Sequence, residues 1–158
     1  MNDTRRLVAF QVDGHRYAVD LQSVRRVLPM VEVSPLPDGP TIALGVVNVH
    51  GEIIPVVDLR RRFGLPPRTY GLSAQLLVCR TRQRILAMPV DEVIGLIDRP
   101  ETAVVAGSSV LPHLRHVSGV IPLEDDLLLL HDVDAFLSLD EERELDSALH
   151  EVNDAALT

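Results

Sequence analysis

At 158 residues the chain is long enough for one ordinary domain, or for two small lobes that share a core. Hydrophobic residues make up 46% of it and aromatic residues only 3%, so a core must be built from Val, Leu and Ile, and most aromatic-cage and base-stacking functions are excluded. The net charge of −8 is uneven: residues 124–158 carry 12 acids and one base, whereas residues 1–123 carry 11 acids and 14 bases. The basic residues are all arginine, which indicates either a compositional bias of the source or an arginine-bearing face for contact with a protein.

The sequence has no signal for export, membrane insertion or disulfide formation. Its first ten residues lack an apolar segment of signal-peptide length, and no stretch approaches the roughly 20 apolar residues of a membrane helix. Cys79 is the only cysteine, so neither a disulfide nor a thiolate metal site is expected, and we predict a buried position in a strand for it. These features predict a cytoplasmic protein without direct membrane insertion.

A hairpin is predicted at the start of the chain. Residues 7–13 alternate between apolar and polar side chains, as a half-buried strand does. Asp13 and Gly14 form a dipeptide that is typical of a tight hairpin turn, and residues 16–19 are the returning strand.

A short amphipathic helix is predicted next, with Asp20 as its N-cap and Pro29 at its end. Its apolar residues at helical spacing are Leu21, Val24, Val27 and Leu28. Residues 30–36 are predicted to form a further strand, which leads into a proline-rich loop.

The segment from Gly45 to Phe63, GVVNVHGEIIPVVDLRRRF, predicts a hairpin followed by a short helix. Its β-branched residues favour strands, and Gly51 permits the positive φ of a tight turn. Asp58 stands where its side chain can accept hydrogen bonds from the first amides of the helix.

The second half is predicted to contain more strands and a long helix. Residues 64–73 hold two Gly and two Pro and are the predicted crossover between lobes. The predicted strands are 74–79, 85–90 and the hairpin 117–130, while 92–98 fits either a strand or a short helix. After the hairpin, a helix is expected over 132–149 with Asp132 as its cap.

The central segment recurs without a gap as GVIPLEDDLLLLHDVDAFL, residues 119–137. The aligned pairs include Gly45 with Gly119 and Asp58 with Asp132. A fainter similarity joins AVDLQSV, residues 18–24, to AMPVDEV, residues 87–93. Two copies predict two similar β-rich lobes, because a solenoid would need more units.

No nucleotide-binding or hydrolase motif is present, and the remaining clusters have simple structural explanations. Asp58 and Asp132 suggest a paired-carboxylate site, but capping explains both. His113 and His116 lack a third metal ligand, so we interpret them as loop histidines and expect neither a metal nor a cofactor. The arginines at 60–62 are interpreted as a solvated helix face or a protein contact, because an acidic chain with few aromatics does not favour nucleic acid.

Three segments resemble the CheW-like domains of bacterial chemosensory systems: LVAFQVDGHRYAVDLQSV, GVVNVHGEIIPVVDLRRRFG and GVIPLEDDLLLLHDVDAFLS. Together they span residues 7–139, nearly the whole chain. The resemblance implies a mainly β fold of two SH3-like five-stranded β-barrels with short helices and a C-terminal helix. It places the CheW-like domain at residues 1–139, followed by an acidic helical tail at 140–158.

The resemblance also implies a non-enzymatic adaptor that couples chemoreceptors to a CheA-type histidine kinase, in association with membrane receptor arrays. The kinase's regulatory domain is expected to dock on one barrel through exposed hydrophobic residues, and the receptor's cytoplasmic hairpin tip to pack into a groove between the barrels. Carried over by position, the partner-binding residues are Val24, Arg26, His50, Leu76, Val93 and Leu96.

The chain departs from the family pattern in two places. The usual hairpin turn is N-L-R-G, where this chain has Asn48-Val49-His50-Gly51, and the position of Arg26 usually holds an acid. These departures favour a partner outside the standard chemotaxis pathway, such as one governing motility or a second-messenger output. An alternative reading is a small-molecule sensor with its ligand in the groove between the lobes.

Overall fold

The structure is a computed structural model that describes residues 3–106 and 116–157, with residues 153–157 as backbone only. Within these residues lie ten strands: β1 Thr4–Val12, β2 His15–Asp20, β3 Val24–Pro29, β4 Ala43–Val49, β5 Glu52–Val57, β6 Gln75–Arg80, β7 Ile85–Val90, β8 Glu92–Pro100, β9 Val117–Pro122 and β10 Leu127–His131. The α-helices are α1 Leu59–Arg62 and α2 Leu139–Leu157. Short 3₁₀ turns cover Leu21–Ser23, Glu101–Ala103 and Val133–Ala135.

The strands form two five-stranded sheets, each of which defines a lobe. The terminal lobe has the strand order β8-β1-β2-β10-β9 and therefore combines both ends of the chain. The central lobe has the order β3-β6-β7-β5-β4 and is continuous in sequence. This mainly β architecture of two five-stranded lobes confirms the predicted fold class.

The internal repeat corresponds to equivalent positions in the two lobes. Val56 of β5 pairs in parallel with Ala87 of β7, and Leu130 of β10 pairs in parallel with Ala18 of β2. Val56 aligns with Leu130 in the strong repeat, and Ala18 aligns with Ala87 in the faint one. Both repeats therefore mark the same structural unit. In each lobe, two hairpins are joined by a parallel pairing between one strand of each.

The predicted crossover at residues 64–73 is wrong. That segment connects β5 to β6, and both strands belong to the central lobe. The chain instead passes between lobes at residues 20–24, after β2, and at residues 90–92, after β7. These are the two stretches of the faint repeat, so the signal for the crossovers was present in the sequence, while Gly and Pro content marked only a loop.

The interior consists of three apolar clusters. One lies inside each lobe, and the third and largest lies between the two sheets. Val56 is fully buried inside the central lobe, and Leu129 is buried between the lobes. Cys79 also lies in the inter-lobe cluster, in strand β6, as predicted.

Two elements before the repeated hairpin differ from the sequence prediction. The helix expected after Asp20 is a single 3₁₀ turn, and the chain continues as β3, which pairs with β6. Pairing with β6 overrides the helical spacing of the apolar residues in so short a segment. Residues 30–36 make only one bridge, between Ser34 and Val46, because Pro35 and Pro37 lack the amide that a ladder needs.

The C-terminal helix begins later than predicted. Asp132 accepts a hydrogen bond from Asp134 N at 3.0 Å, but it caps the 3₁₀ turn Val133–Ala135. Helix α2 has its own capping box, in which Ser138 Oγ accepts from Glu141 N at 3.1 Å and Glu141 Oε1 accepts from Ser138 N at 2.9 Å. The first copy matches prediction, because Asp58 accepts from the amides of Arg60 and Arg61 at the start of α1.

Ion pairs attach α2 to the central lobe. Arg62 of α1 donates to Glu141 at 2.6 Å, and Arg84 after β6 donates to Glu142 at 2.7 Å. Leu145 and Ala148 are buried on the same helix. The acidic end of the chain is therefore folded back onto arginines of the first part.

Candidate partner-binding surfaces

A small concave site lies where β3 meets the turn between β4 and β5. We call it the notch and define it by the charged or titratable residues Arg25, Arg26, His50 and Glu52. Its volume is about 190 Å³. Its apolar floor is formed by Val49, Ile54 and Val78. The structure therefore brings together Arg26 and His50, which are 24 positions apart in the sequence.

Local turn chemistry places His50 at the rim of the notch. His50 and Gly51 have φ values of +51° and +87°, as a tight hairpin turn requires. Asn48 Oδ1 accepts a hydrogen bond from Gly51 N at 2.8 Å and so fixes the turn. His50 is exposed in this position.

The charges of the notch are only partly balanced. Arg25 lies 3.8 Å from Glu52, and both side chains are about half exposed. Arg26 is exposed on β3 and forms no ion pair with any residue that the structure describes. Among the residues that the structure describes, none forms an ion pair that neutralises the Arg26 guanidinium of the notch.

Leu76 does not lie on this surface. Its side chain is fully buried in the core of the central lobe, because it points to the inner face of β6. Side chains alternate along a strand, so an assignment that is wrong by one residue selects the opposite face. The neighbouring Gln75 faces outward, and its Oε1 accepts a hydrogen bond from Val93 N at 2.7 Å. Gln75 replaces Leu76 in the candidate surface.

The other three residues lie on the strands that follow the two crossovers. Val24 of β3 and Val93 of β8 are partly buried and pack against the inter-lobe cluster. Leu96 of β8 is 67% exposed. β3 and β8 occupy equivalent edges of the two lobes, and Val93 N donates to Gln75 Oε1 of the central lobe. Val24 and Val93 therefore lie at the junction of the lobes, whereas Leu96 lies on the outer face of β8.

A second candidate surface, the apolar groove, was not predicted from the sequence. It lies at one side of the central lobe and has a volume of about 580 Å³. Its apolar wall consists of Met30, Val31, Val33, Leu44, Tyr70 and Leu72. Leu72 is 94% exposed, and with the exposed Val31 and Leu44 it forms an apolar patch of the kind that marks an interaction site. The available sequence signal was a leucine within the Gly- and Pro-rich loop.

Arg60 is buried between the lobes, contrary to its interpretation as part of a solvated helix face. Only 1% of its side chain is exposed, and its guanidinium donates to Asp13 at 3.1 Å and lies 3.3 Å from Asp91. Burial lowers its pKa, but the hydrogen bond to Asp13 and the charge of Asp91 outweigh that effect and raise the pKa above its ordinary value. This contact, which we call the clasp, joins α1 of the central lobe to the first turn of the terminal lobe.

The space between the sheets is filled by the apolar side chains of the inter-lobe cluster. A ligand held between the sheets would have to displace them. In the portion of the chain that the structure covers, no three His, Cys, Asp or Glu side chains are grouped as metal ligands. His113 lies outside the described residues. No helix within 3–106 or 116–157 is long and apolar enough to cross a membrane.

Comparison with known proteins gives a consistent family assignment. Residues 6–141 match the family model described as the CheW-like domain, so the chain belongs to the CheW-like family. The chemotaxis protein CheW of Rhizobium meliloti is 25% identical over 145 residues, which cover 90% of this chain and 93% of that protein. The probable chemotaxis protein CheW of Rhizobium etli is 23% identical and covers 85% and 88% of the two chains.

Two further similarities concern the fold and a shorter segment. The crystal structure of the scaffolding protein TtCheW from Thermoanaerobacter tengcongensis superposes with a TM-score of 0.78, covers 89% of this chain and 96% of that one, and is 22% identical. It therefore supports the fold. Protein FrzA of Myxococcus xanthus is 32% identical over 87 residues, which are 55% of this chain and 54% of that protein.

Proposed function

We propose that the protein is a non-enzymatic adaptor that couples chemoreceptors to a CheA-type histidine kinase in a chemosensory array. The observation that carries this proposal is the family match over residues 6–141, which includes both lobes. Relatives named chemotaxis protein CheW, similar over most of their length, support it. An adaptor needs a separate surface for each partner, and the chain offers two.

The apolar groove is the proposed docking surface for the kinase's regulatory domain. Val31, Leu44 and Leu72 expose 43%, 39% and 94% of their surface around it. Burial of such a patch against a partner is favourable at roughly 25 cal/mol per Å² of apolar surface removed from water. This chemistry fits docking through exposed hydrophobic residues.

The surface at the junction of the lobes is the proposed contact for the receptor's cytoplasmic hairpin tip. It combines the partly buried Val24 and Val93 with the exposed Leu96 and, at its end on the central lobe, the notch. Apolar residues flanked by charged ones are the usual composition of a protein interface. Through this contact the protein is recruited to membrane receptor arrays.

The pathway served is proposed to differ from standard chemotaxis. The support is the sequence Asn48-Val49-His50-Gly51 in the turn, together with a basic residue at position 26. Arg26, Val49 and His50 line one concave site, so the two departures change the charge of a single contact.

The test is reconstitution with the kinase and a receptor fragment from the same cells. The protein is expected to alter kinase autophosphorylation only when both partners are present. Leu44→Glu and Leu72→Glu should weaken kinase binding about tenfold or more, because each buries a charge in an apolar contact. Binding is measured by calorimetry with the purified kinase.

Leu139→Glu is the matched control, since Leu139 is 74% exposed at the start of α2, away from the groove. It should bind the kinase like the unaltered protein. Unchanged kinase binding by both groove variants would contradict the docking surface. Turnover of a substrate by the isolated protein would contradict the adaptor function.

A further inference from the structure

The notch has the charge and shape to hold a carboxylate from another protein. Nine arginines of the described chain form ion pairs with its own acids. Arg26 lies outside this group, as do Arg61, Arg68, Arg80 and Arg99, but of these five only Arg26 lines the notch. Arg26 lines this concave site together with the apolar residues Val49, Ile54 and Val78.

The neighbours of Arg26 strengthen this preference for an anion. Glu52 is the acid of the notch, and it lies 3.8 Å from Arg25, so its charge is already shared. The rim residue His50 adds an imidazole on the other side of the site. A partner carboxylate would find a forked donor in Arg26 and a further polar ring in His50, whereas a partner cation would meet two arginines.

The size of the notch restricts the occupant to a side chain. A volume of about 190 Å³ holds an aspartate or glutamate side chain and is smaller than the sites of about 300 Å³ or more that usually bind free small molecules. The floor residues Ile54 and Val78 would pack against the methylene groups of such a side chain.

We propose that the notch binds an aspartate or glutamate side chain of the partner's helical hairpin tip, and that Arg26 thereby selects partners with an acid at that position. This inference rests on the proposed function, since it takes the receptor as the occupant. Charged contacts of this kind contribute to specificity and to the rate of association as well as to affinity.

The test measures binding of the unaltered protein and of R26E to a soluble fragment of the native receptor's cytoplasmic tip. R26E is expected to lower affinity about tenfold or more, and R26Q several-fold. The affinity of the unaltered protein should fall with added salt, and that of R26Q should fall less steeply, because one charge pair has been removed. The double variant R26E/H50R, which places an acid beside a new arginine within the notch, should remain weak although its charges are internally balanced.

R143E is the matched control, because Arg143 is 79% exposed on α2 and the substitution changes the net charge equally. It should bind like the unaltered protein. Each acid of the receptor tip is then changed to arginine in turn, and one of these changes is expected to restore binding to R26E.

The outcomes separate the inference from the function on which it rests. Equal receptor binding by R26E and the unaltered protein overturns the notch as a carboxylate site but leaves the adaptor function intact. An equal loss in R143E also overturns it, since the effect would then come from net charge. Failure of the unaltered protein to bind the receptor overturns both.

Discussion

The two copies of the repeat form the same hairpin but attach to the rest of the molecule differently. In the first copy, α1 carries Arg60 into the clasp, where it is almost fully buried. In the second, the aligned position is Asp134, which is exposed and lies 3.6 Å from Arg82. The copies share their apolar strands and their capping aspartates, Asp58 and Asp132. The comparison teaches that the shared positions build each lobe, while the positions that differ connect it to its surroundings.

The largest difference between the copies is expected at their first glycines. Gly45 has φ +152°, and a Cβ there would lie 2.1 Å from the backbone oxygen of Ser34. At Gly119 a Cβ would lie 2.8 Å from the side-chain atom Cγ1 of Val104, which can move. We expect Gly45→Ala to destabilise by roughly 4 kcal/mol, as strain and overpacking add, and Gly119→Ala by about 1–2 kcal/mol. Urea unfolding measures both, and similar losses would contradict the asymmetry.

The clasp gives the next largest effect. Arg60→Met should destabilise by about 2 kcal/mol, less than the ~3–5 kcal/mol of a fully buried pair, because a third of Asp13 and of Asp91 remains exposed to solvent. Arg82→Met is the control, because Arg82 is the partner of Asp134 in the second copy and is 86% exposed, and its effect should stay within about 0.5 kcal/mol. Equal unfolding midpoints for the two variants would refute a structural role for the clasp.

The copies should also differ in their response to pH. His131 is buried and aligns with the buried Val57 of the first copy. Its Nδ1 contacts His116 O at 3.0 Å, and the rings of Phe63 and Phe136 lie edge-on to it. Burial lowers the pKa of His131 below the ordinary value of 6.5, although Asp132 opposes this and Arg62 adds to it.

The folded protein therefore favours neutral His131, and the unfolded chain binds the extra proton as pH falls below 6.5. The stabilising contribution is present above that pH and is lost on acidification, by up to about 1.4 kcal/mol per pH unit. In His131→Val this contribution is absent, so the stability difference between the two proteins should change between pH 7.5 and 5.5. Parallel stability curves in denaturant titrations would contradict the prediction.

The smallest effects are expected at the capping aspartates. Asp58 accepts from two amides, at 3.0 and 3.4 Å, whereas Asp132 accepts from one at 3.0 Å. Asp58→Ala should cost about 1 kcal/mol and Asp132→Ala less, while Asn at either position should retain most of the cap. Thermal unfolding of the four variants checks this order, which a larger loss in Asp132→Ala would reverse.

The sequence alone determined the features that depend on neighbouring residues. Gly51, the Asp13-Gly14 turn and the capping position of Asp58 followed from local backbone chemistry, and the repeat predicted two similar lobes. Arg26 and His50 were selected through a family resemblance, and the structure brings them to one notch.

Only the tertiary structure decided which distant segments pair. The lobes interleave, because the terminal lobe takes strands from both ends of the chain, and no local signal states which hairpin another hairpin will join. Pairing with β6 made a strand of the segment that its spacing predicted as a helix. The alternation of side chains along β6 turned Leu76 inward and Gln75 outward. Arg60 was predicted on a solvated helix face or in a protein contact, because its two carboxylate partners lie 47 and 31 residues away and meet it only when the lobes pack together.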